Sequence, residues 1–162
     1  MTSLDKARIL AIAVPAALLA GAHGSEYWGG LYPCEMCWWQ RYAHFVGLAF
    51  ALLSLALRGF PDRGRSLVWL AALAILASGG IGVYHAGVEA GLFEGFTRCT
   101  SPTAGLSGDE LLKAIMAAPI VSCDQVQFSF LGVSMAGWNA ILSILAALVI
   151  LWLSLRRPRM RR

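Results

Sequence analysis

Four long apolar segments constrain this chain more than any other feature, at about 9–24, 38–57, 67–86 and 136–155. A bilayer core needs about 20 predominantly apolar residues per helix. Hydrocarbon offers no partner to a free backbone amide, so such segments cross as helices that satisfy their own backbone. The last two hold no Asp, Glu, Lys or Arg, whereas the second is interrupted early by Gln40, Arg41 and His44. The first is the shortest and contains Pro15, which membrane helices tolerate. Composition agrees: 58% of the residues are hydrophobic and 14% charged, too little charge to cover a soluble domain. The expectation is an all-α membrane protein, a four-helix transmembrane bundle forming one integral domain over residues 1–162.

The charges set an orientation. Lys6 and Arg8 precede the first segment, Arg58, Arg63 and Arg65 separate the second from the third, and five arginines from Arg156 to Arg162 follow the fourth. These are ten of the thirteen basic residues, while seven of the nine acidic ones fall on the other side. The positive-inside rule then places both termini and the "RGFPDRGR" loop in the cytoplasm. The net charge of +4 therefore reports topology and does not point to nucleic acid. Lys6 and Arg8 before an apolar run ending Ala20-Gly21-Ala22 also fit a cleavable signal peptide. An uncleaved first helix is preferred, because three remaining spans make a poor bundle.

All four cysteines fall outside: Cys34 and Cys37 in the first external loop, Cys99 and Cys123 in the second. In a bacterium that side is the periplasm, where disulfides form and persist, and two structural disulfides are the plain expectation. Cys34-x-x-Cys37 speaks for more, since so short a loop removes little entropy from the unfolded chain. If the second helix starts just after Pro33, a favourable residue for a helix start, then Cys34, Cys37, Arg41 and His44 lie within about 80° of one another. Unsatisfied amides at the helix start and a nearby guanidinium both favour a thiolate. The pair thus suits thiol–disulfide exchange.

Arg41 would merely snorkel to the headgroups in the simplest case. Its fixed helical spacing from the cysteines, on a side otherwise poor in basic residues, favours a functional role toward a thiolate or a quinone carbonyl. Trp38 and Trp39 suit the interfacial aromatic belt, and either can wall an aromatic ligand. His44, one turn deeper than Arg41, fits a hydrogen-bonded packing residue. His85, at the external end of the third segment, titrates near neutrality and can supply a proton to a reduced ligand.

In the second loop, Cys99 and Cys123 bracket 23 residues, a spacing unlike a paired zinc knuckle. Between them, Ser107 and Glu110 form a capping box ahead of Leu111, Leu112, Ile115 and Met116. The expectation is a short amphipathic helix lying on the membrane surface. The glycine-rich approach to Cys99 suits a mobile cysteine pair.

These features together resemble the bacterial disulfide bond formation protein B (DsbB) family. The likeness rests on "PCEMCWWQR", on the two separated cysteines, and on "CDQVQFSFLGVSMAGWN" leading into the last helix. The resemblance implies a thiol:quinone oxidoreductase of the bacterial inner membrane that reoxidises a DsbA-like thioredoxin-fold dithiol oxidase. It implies that the partner attacks Cys99 of a Cys99–Cys123 disulfide and that electrons then pass to Cys34–Cys37. It further implies ubiquinone, or menaquinone, as the acceptor beside Cys37, with Arg41 and His85 assisting and no metal expected. Two other readings stand beside it. A vitamin K epoxide reductase-like protein also joins a four-helix bundle to Cys-x-x-Cys and quinone, but carries the pair on its last helix. A Cu(I)-handling protein would use "CEMC" with His23, His44 and His85, because soft sulfur ligands suit that ion. It leaves Arg41 and the Cys99/Cys123 pair unexplained.

Overall fold

The computed structural model describes residues 1–95, 108–109, 112–113 and 121–156. Among them are four long helices: α1 (Ser3–Tyr27), α2 (Glu35–Ala56), α3 (Arg65–Glu89) and α4 (Met135–Leu155). Local chemistry sets their starts. Thr2 caps α1 through a capping box, its hydroxyl accepting from the Asp5 amide at 3.2 Å while the Asp5 carboxylate accepts from the Thr2 amide at 3.0 Å. Cys34 caps α2, its sulfur 3.3 Å from the Cys37 amide. Ser134 caps α4 by accepting from the Gly137 amide at 3.1 Å. Gly64, before α3, has φ +70° and lies against the backbone of Ser54, where a Cβ would sit 2.7 Å from the carbonyl oxygen. Only glycine meets both demands without strain.

Each helix packs on two neighbours in the cyclic order α1–α2–α3–α4, and α1 and α3 touch more lightly across the middle. The interior is built from small residues, with Ala7, Ala11, Ala51, Ala71, Ala72 and Ala147 fully buried around Leu4, Val68, Ile75 and Ile150. Serines 54, 78, 143 and 154 are buried as well, while Leu52, Leu73, Val83, Leu145, Leu148 and Trp152 face outward. A bundle in lipid gains little by hiding leucine and much by close backbone approach, which produces this arrangement. Gly82 shows it directly: a Cβ there would lie 3.0 Å from both the Ala136 oxygen and the Ala140 nitrogen of α4.

Three helices, α1, α3 and α4, are long and apolar enough to cross a membrane. The second expected span is a helix of 22 residues, but Glu35, Gln40, Arg41 and His44 dilute its apolar character. Arg8, read from sequence as a topology signal, is also fully buried. It donates to Asp5 and to the Arg63 carbonyl, fastening α1 to the connection between α2 and α3.

The all-α expectation needs one addition. Strands β1 (Ser129–Phe130) and β2 (Val133–Ser134) pair antiparallel, with Ser129 opposite Ser134 and Phe130 opposite Val133. Leu131 and Gly132, at φ 52° and 78°, form the two-residue turn. Positive φ at both central positions matches the right-handed strand twist. Trp138 donates to the Phe130 carbonyl at 2.9 Å, and Gln127 ties the segment to the Tyr32 carbonyl at 2.6 Å. The hairpin therefore sets the entry of α4 beside the connection between α1 and α2. The expected amphipathic helix, and Cys99 with it, fall largely outside the described residues.

Candidate functional site

The caps and packing above bring one end of all four helices together. Cys34 and Cys37 occupy the first turn of α2, and their sulfurs lie 2.8 Å apart. That is inside the van der Waals contact of two thiols, so little movement separates dithiol from disulfide. In the dithiol, Cys34 donates to the Cys37 sulfur. That hydrogen bond, followed by burial, pushes the Cys34 thiol up from its ordinary range, while the Cys37 amide opposes it. The same hydrogen bond favours negative charge on Cys37 over Cys34. Arg41 acts on Cys37 from the next turn and Glu89 from α3, with opposite charges.

Arg41 is 6% exposed. It pairs with Glu26 of α1, donates to the Ala22 carbonyl at 3.1 Å, and stacks 4.9 Å above the Trp38 ring. An unpaired guanidinium at this depth would be costly, and Glu26 with the Ala22 carbonyl removes that cost. Trp38 therefore meets the arginine and also packs against His23 and Tyr42. His85 faces Cys34, its Nε2 lying 3.6 Å from the sulfur and 3.8 Å from Glu89 Oε1. His44 donates from Nε2 to Asn139 Oδ1 at 2.8 Å, one turn deeper.

Cys123 is buried against Cys34, Met36 and Val88. A cysteine of the second loop thus lies beside the Cys34–Cys37 pair. Cys99 is outside the described residues. Of the eight site residues expected from sequence, Cys34, Cys37, Arg41, His44 and His85 line one cavity of about 250 Å³. Trp38 adjoins it through Arg41, and Cys123 abuts it through Cys34.

The rest of the wall is mainly apolar, supplied by Leu18 and Leu19 of α1, Phe128 before the hairpin, and Met135 and Trp138 of α4. An apolar chamber with a cation, an imidazole and a thiol on one wall suits a flat ring bearing carbonyl oxygens. Sequence reasoning missed Glu26, Glu89, Gln40 and Asn139. The acid at the end of α1 was recoverable in principle, because a buried arginine at a membrane mouth needs an anion. Asn139 was not, since its partners Ser78 and Gln40 stand 61 and 99 residues away in sequence.

Comparison with known families matches residues 5–153 to the family described as disulfide bond formation protein DsbB. The chain is 31% identical over 159 residues to disulfide bond formation protein B of Marinobacter nauticus, covering 91% of this chain and 90% of that one. It is 32% identical over 165 residues to the protein of the same name in Paracidovorax citrulli, covering 94% and 89%. An uncharacterised protein of Rickettsia prowazekii is 27% identical over 154 residues, covering 93% and 87%. No solved structure matches the chain.

Proposed function

The chain belongs to the DsbB family of disulfide bond formation proteins, and from that premise we propose that it is a protein-dithiol:quinone oxidoreductase of the bacterial inner membrane. It crosses the bilayer four times as one domain, with both termini cytoplasmic and the cysteines periplasmic. It reoxidises a DsbA-like thioredoxin-fold dithiol oxidase, and membrane ubiquinone, or menaquinone, takes the electrons. The observation that carries this reading is that Cys34 and Cys37 open on an apolar cavity alongside Arg41 and His85.

Each protein step is a thiolate exchange in which one disulfide forms as another breaks. A thiolate of the partner attacks Cys99 of the Cys99–Cys123 disulfide and releases Cys123. The second partner thiol then resolves the mixed disulfide, leaving Cys99 and Cys123 reduced. That pair reduces Cys34–Cys37, and the burial of Cys123 against Cys34 supports this hop. Cys37 then holds the reactive charge toward the cavity, steadied by Arg41. When bound, the quinone supplies a two-electron, two-proton acceptor that sets the direction of flow. Arg41 would hold one of its carbonyl oxygens, and His85 would offer its N–H at the same wall. The aliphatic face of α1 would exclude water from the ring.

The test is stopped-flow mixing of the reduced protein with a soluble ubiquinone analogue, comparing wild type with Cys37→Ser. Wild type should reduce the quinone and the variant should not. Equal reduction by both would remove Cys37 from the path.

A further inference from the structure

Cys34, Cys37 and His85 bring their ligating atoms within 4.8 Å of one another, an arrangement that invites a metal ion. The polar residues behind His85 decide against that use. Gln40 Nε2 lies 3.2 Å from the Met36 carbonyl and 2.9 Å from His85 Nδ1. Only the NH₂ end of an amide can face a carbonyl, so Met36 fixes which way Gln40 points. Asn139 is fixed in the same way, its Nδ2 lying 3.2 Å from the Ser78 carbonyl and 2.7 Å from Gln40 Oε1. Its Oδ1 accepts from His44 Nε2 at 2.8 Å and from the Ser143 hydroxyl at 3.1 Å. Two backbone carbonyls thus set the direction of the whole chain of hydrogen bonds.

The consequence falls on His85. Gln40 donates to Nδ1, so Nδ1 holds a lone pair and the ring hydrogen sits on Nε2. The groups placed at Nε2 are both acceptors: the Cys34 sulfur at 3.6 Å and Glu89 Oε1 at 3.8 Å. We propose that Gln40, oriented by Met36 and Asn139, is a positioning residue that locks His85 as its Nε2–H tautomer. His85 therefore presents a fixed N–H to Cys34 at the cavity mouth and is withheld as a metal ligand. A histidine that ligates through Nε2 needs its hydrogen on Nδ1 and an acceptor behind it, and Gln40 offers the opposite. Buried amides at this depth in a bilayer are costly unless used, and this role gives Gln40 and Asn139 a use. Its value to catalysis rests on Cys34–Cys37 being the redox pair, since the fixed N–H faces the Cys34 sulfur.

The test is ¹⁵N NMR of the reduced, detergent-solubilised protein carrying labelled histidine, with His85 assigned by comparison with His85→Gln. Wild type should show Nε2 protonated and Nδ1 bare at neutral pH; a hydrogen on Nδ1 would overturn the proposal. In Gln40→Glu the carboxylate can only accept, so the hydrogen should move to Nδ1. Zinc binding by that reduced variant should then tighten about 10–100-fold over wild type, as an acceptor behind a ligating histidine does, and adding His85→Gln should abolish the gain. Unchanged ring signals together with unchanged zinc affinity would also overturn it. Neither readout involves turnover. The expected tautomer in a protein that reduces no quinone would sink the redox reading alone, and the wrong tautomer in an active protein would sink only this inference.

Discussion

Replacing Arg41 by methionine separates two roles that its contacts allow. In the native site the guanidinium pairs with Glu26, donates to Ala22 and stacks on Trp38. Arg41→Met takes from the Glu26 carboxylate its guanidinium partner, leaving it His23 Nδ1 at 3.6 Å and a side chain that is 19% exposed. Breaking a fully buried pair costs about 3–5 kcal/mol, and the residual contact of Glu26 with water lowers that to about 2–3 kcal/mol. On the proposed reading, a bound quinone would separately lose a charge-assisted hydrogen bond of about 1.5–3 kcal/mol. At about 1.4 kcal/mol per tenfold, that raises the quinone KM roughly 10- to 100-fold. The double variant Arg41→Met/Glu26→Gln removes the stranded charge. It should regain most of the lost stability in a thermal unfolding scan in detergent, yet keep the raised KM in a quinone titration at saturating dithiol donor. If the double variant recovers the native KM, Arg41 serves only as the partner of Glu26, and its place in the quinone site is wrong.

Other outcomes follow from particular contacts. Gly82→Ala would force α3 and α4 apart at the Ala136 and Ala140 backbone and should lower stability by about 1–3 kcal/mol. Gly80→Ala, with nothing within 4 Å of the added carbon, should leave it unchanged or slightly raised; equal effects in unfolding scans would refute the packing. Cys123→Ser should accumulate a mixed disulfide between Cys99 and the partner on a non-reducing gel, and its absence would reassign the attacked sulfur. Hydrogen bonds from the Ser66 hydroxyl and then the Gly64 and Ser66 amides hold the Asp62 carboxyl below its ordinary range. That stabilisation is present above the unfolded pKa and is lost as pH falls through the lowered folded value. Asp62→Ala should therefore melt earlier than wild type near pH 7, with the gap closing in strong acid; a gap independent of pH would refute the cap.

The features legible in the sequence are those carried by short-range periodicity. Cys34, Cys37, Arg41 and His44 lie within three turns, so helical geometry alone places them on one face. The helix start just after Pro33 was legible in the same way, whereas the capping role of the Cys34 sulfur emerged only in the structure. What stayed hidden depends on partners far along the chain. Gln40 reads as an interruption of an apolar run until Asn139 and Ser78 arrive to satisfy it. Cys123 reads as half of a mobile pair, and only the folded loop buries it against Cys34. The hairpin escaped notice because Leu131 gives no sign in sequence of a positive φ, a conformation that Gly132 alone would advertise.

The central claim is that electrons leave this protein into a membrane quinone through its cysteines. The most direct measurement is quinone reduction by the purified protein in detergent, with a reduced thioredoxin-fold dithiol as donor, before and after alkylation of its thiols under reducing conditions. Quinol should form with the cysteines free and cease once they are blocked. Quinol formed equally by the alkylated protein, or no turnover at all with free thiols and stoichiometric Cu(I) bound instead, would contradict the account.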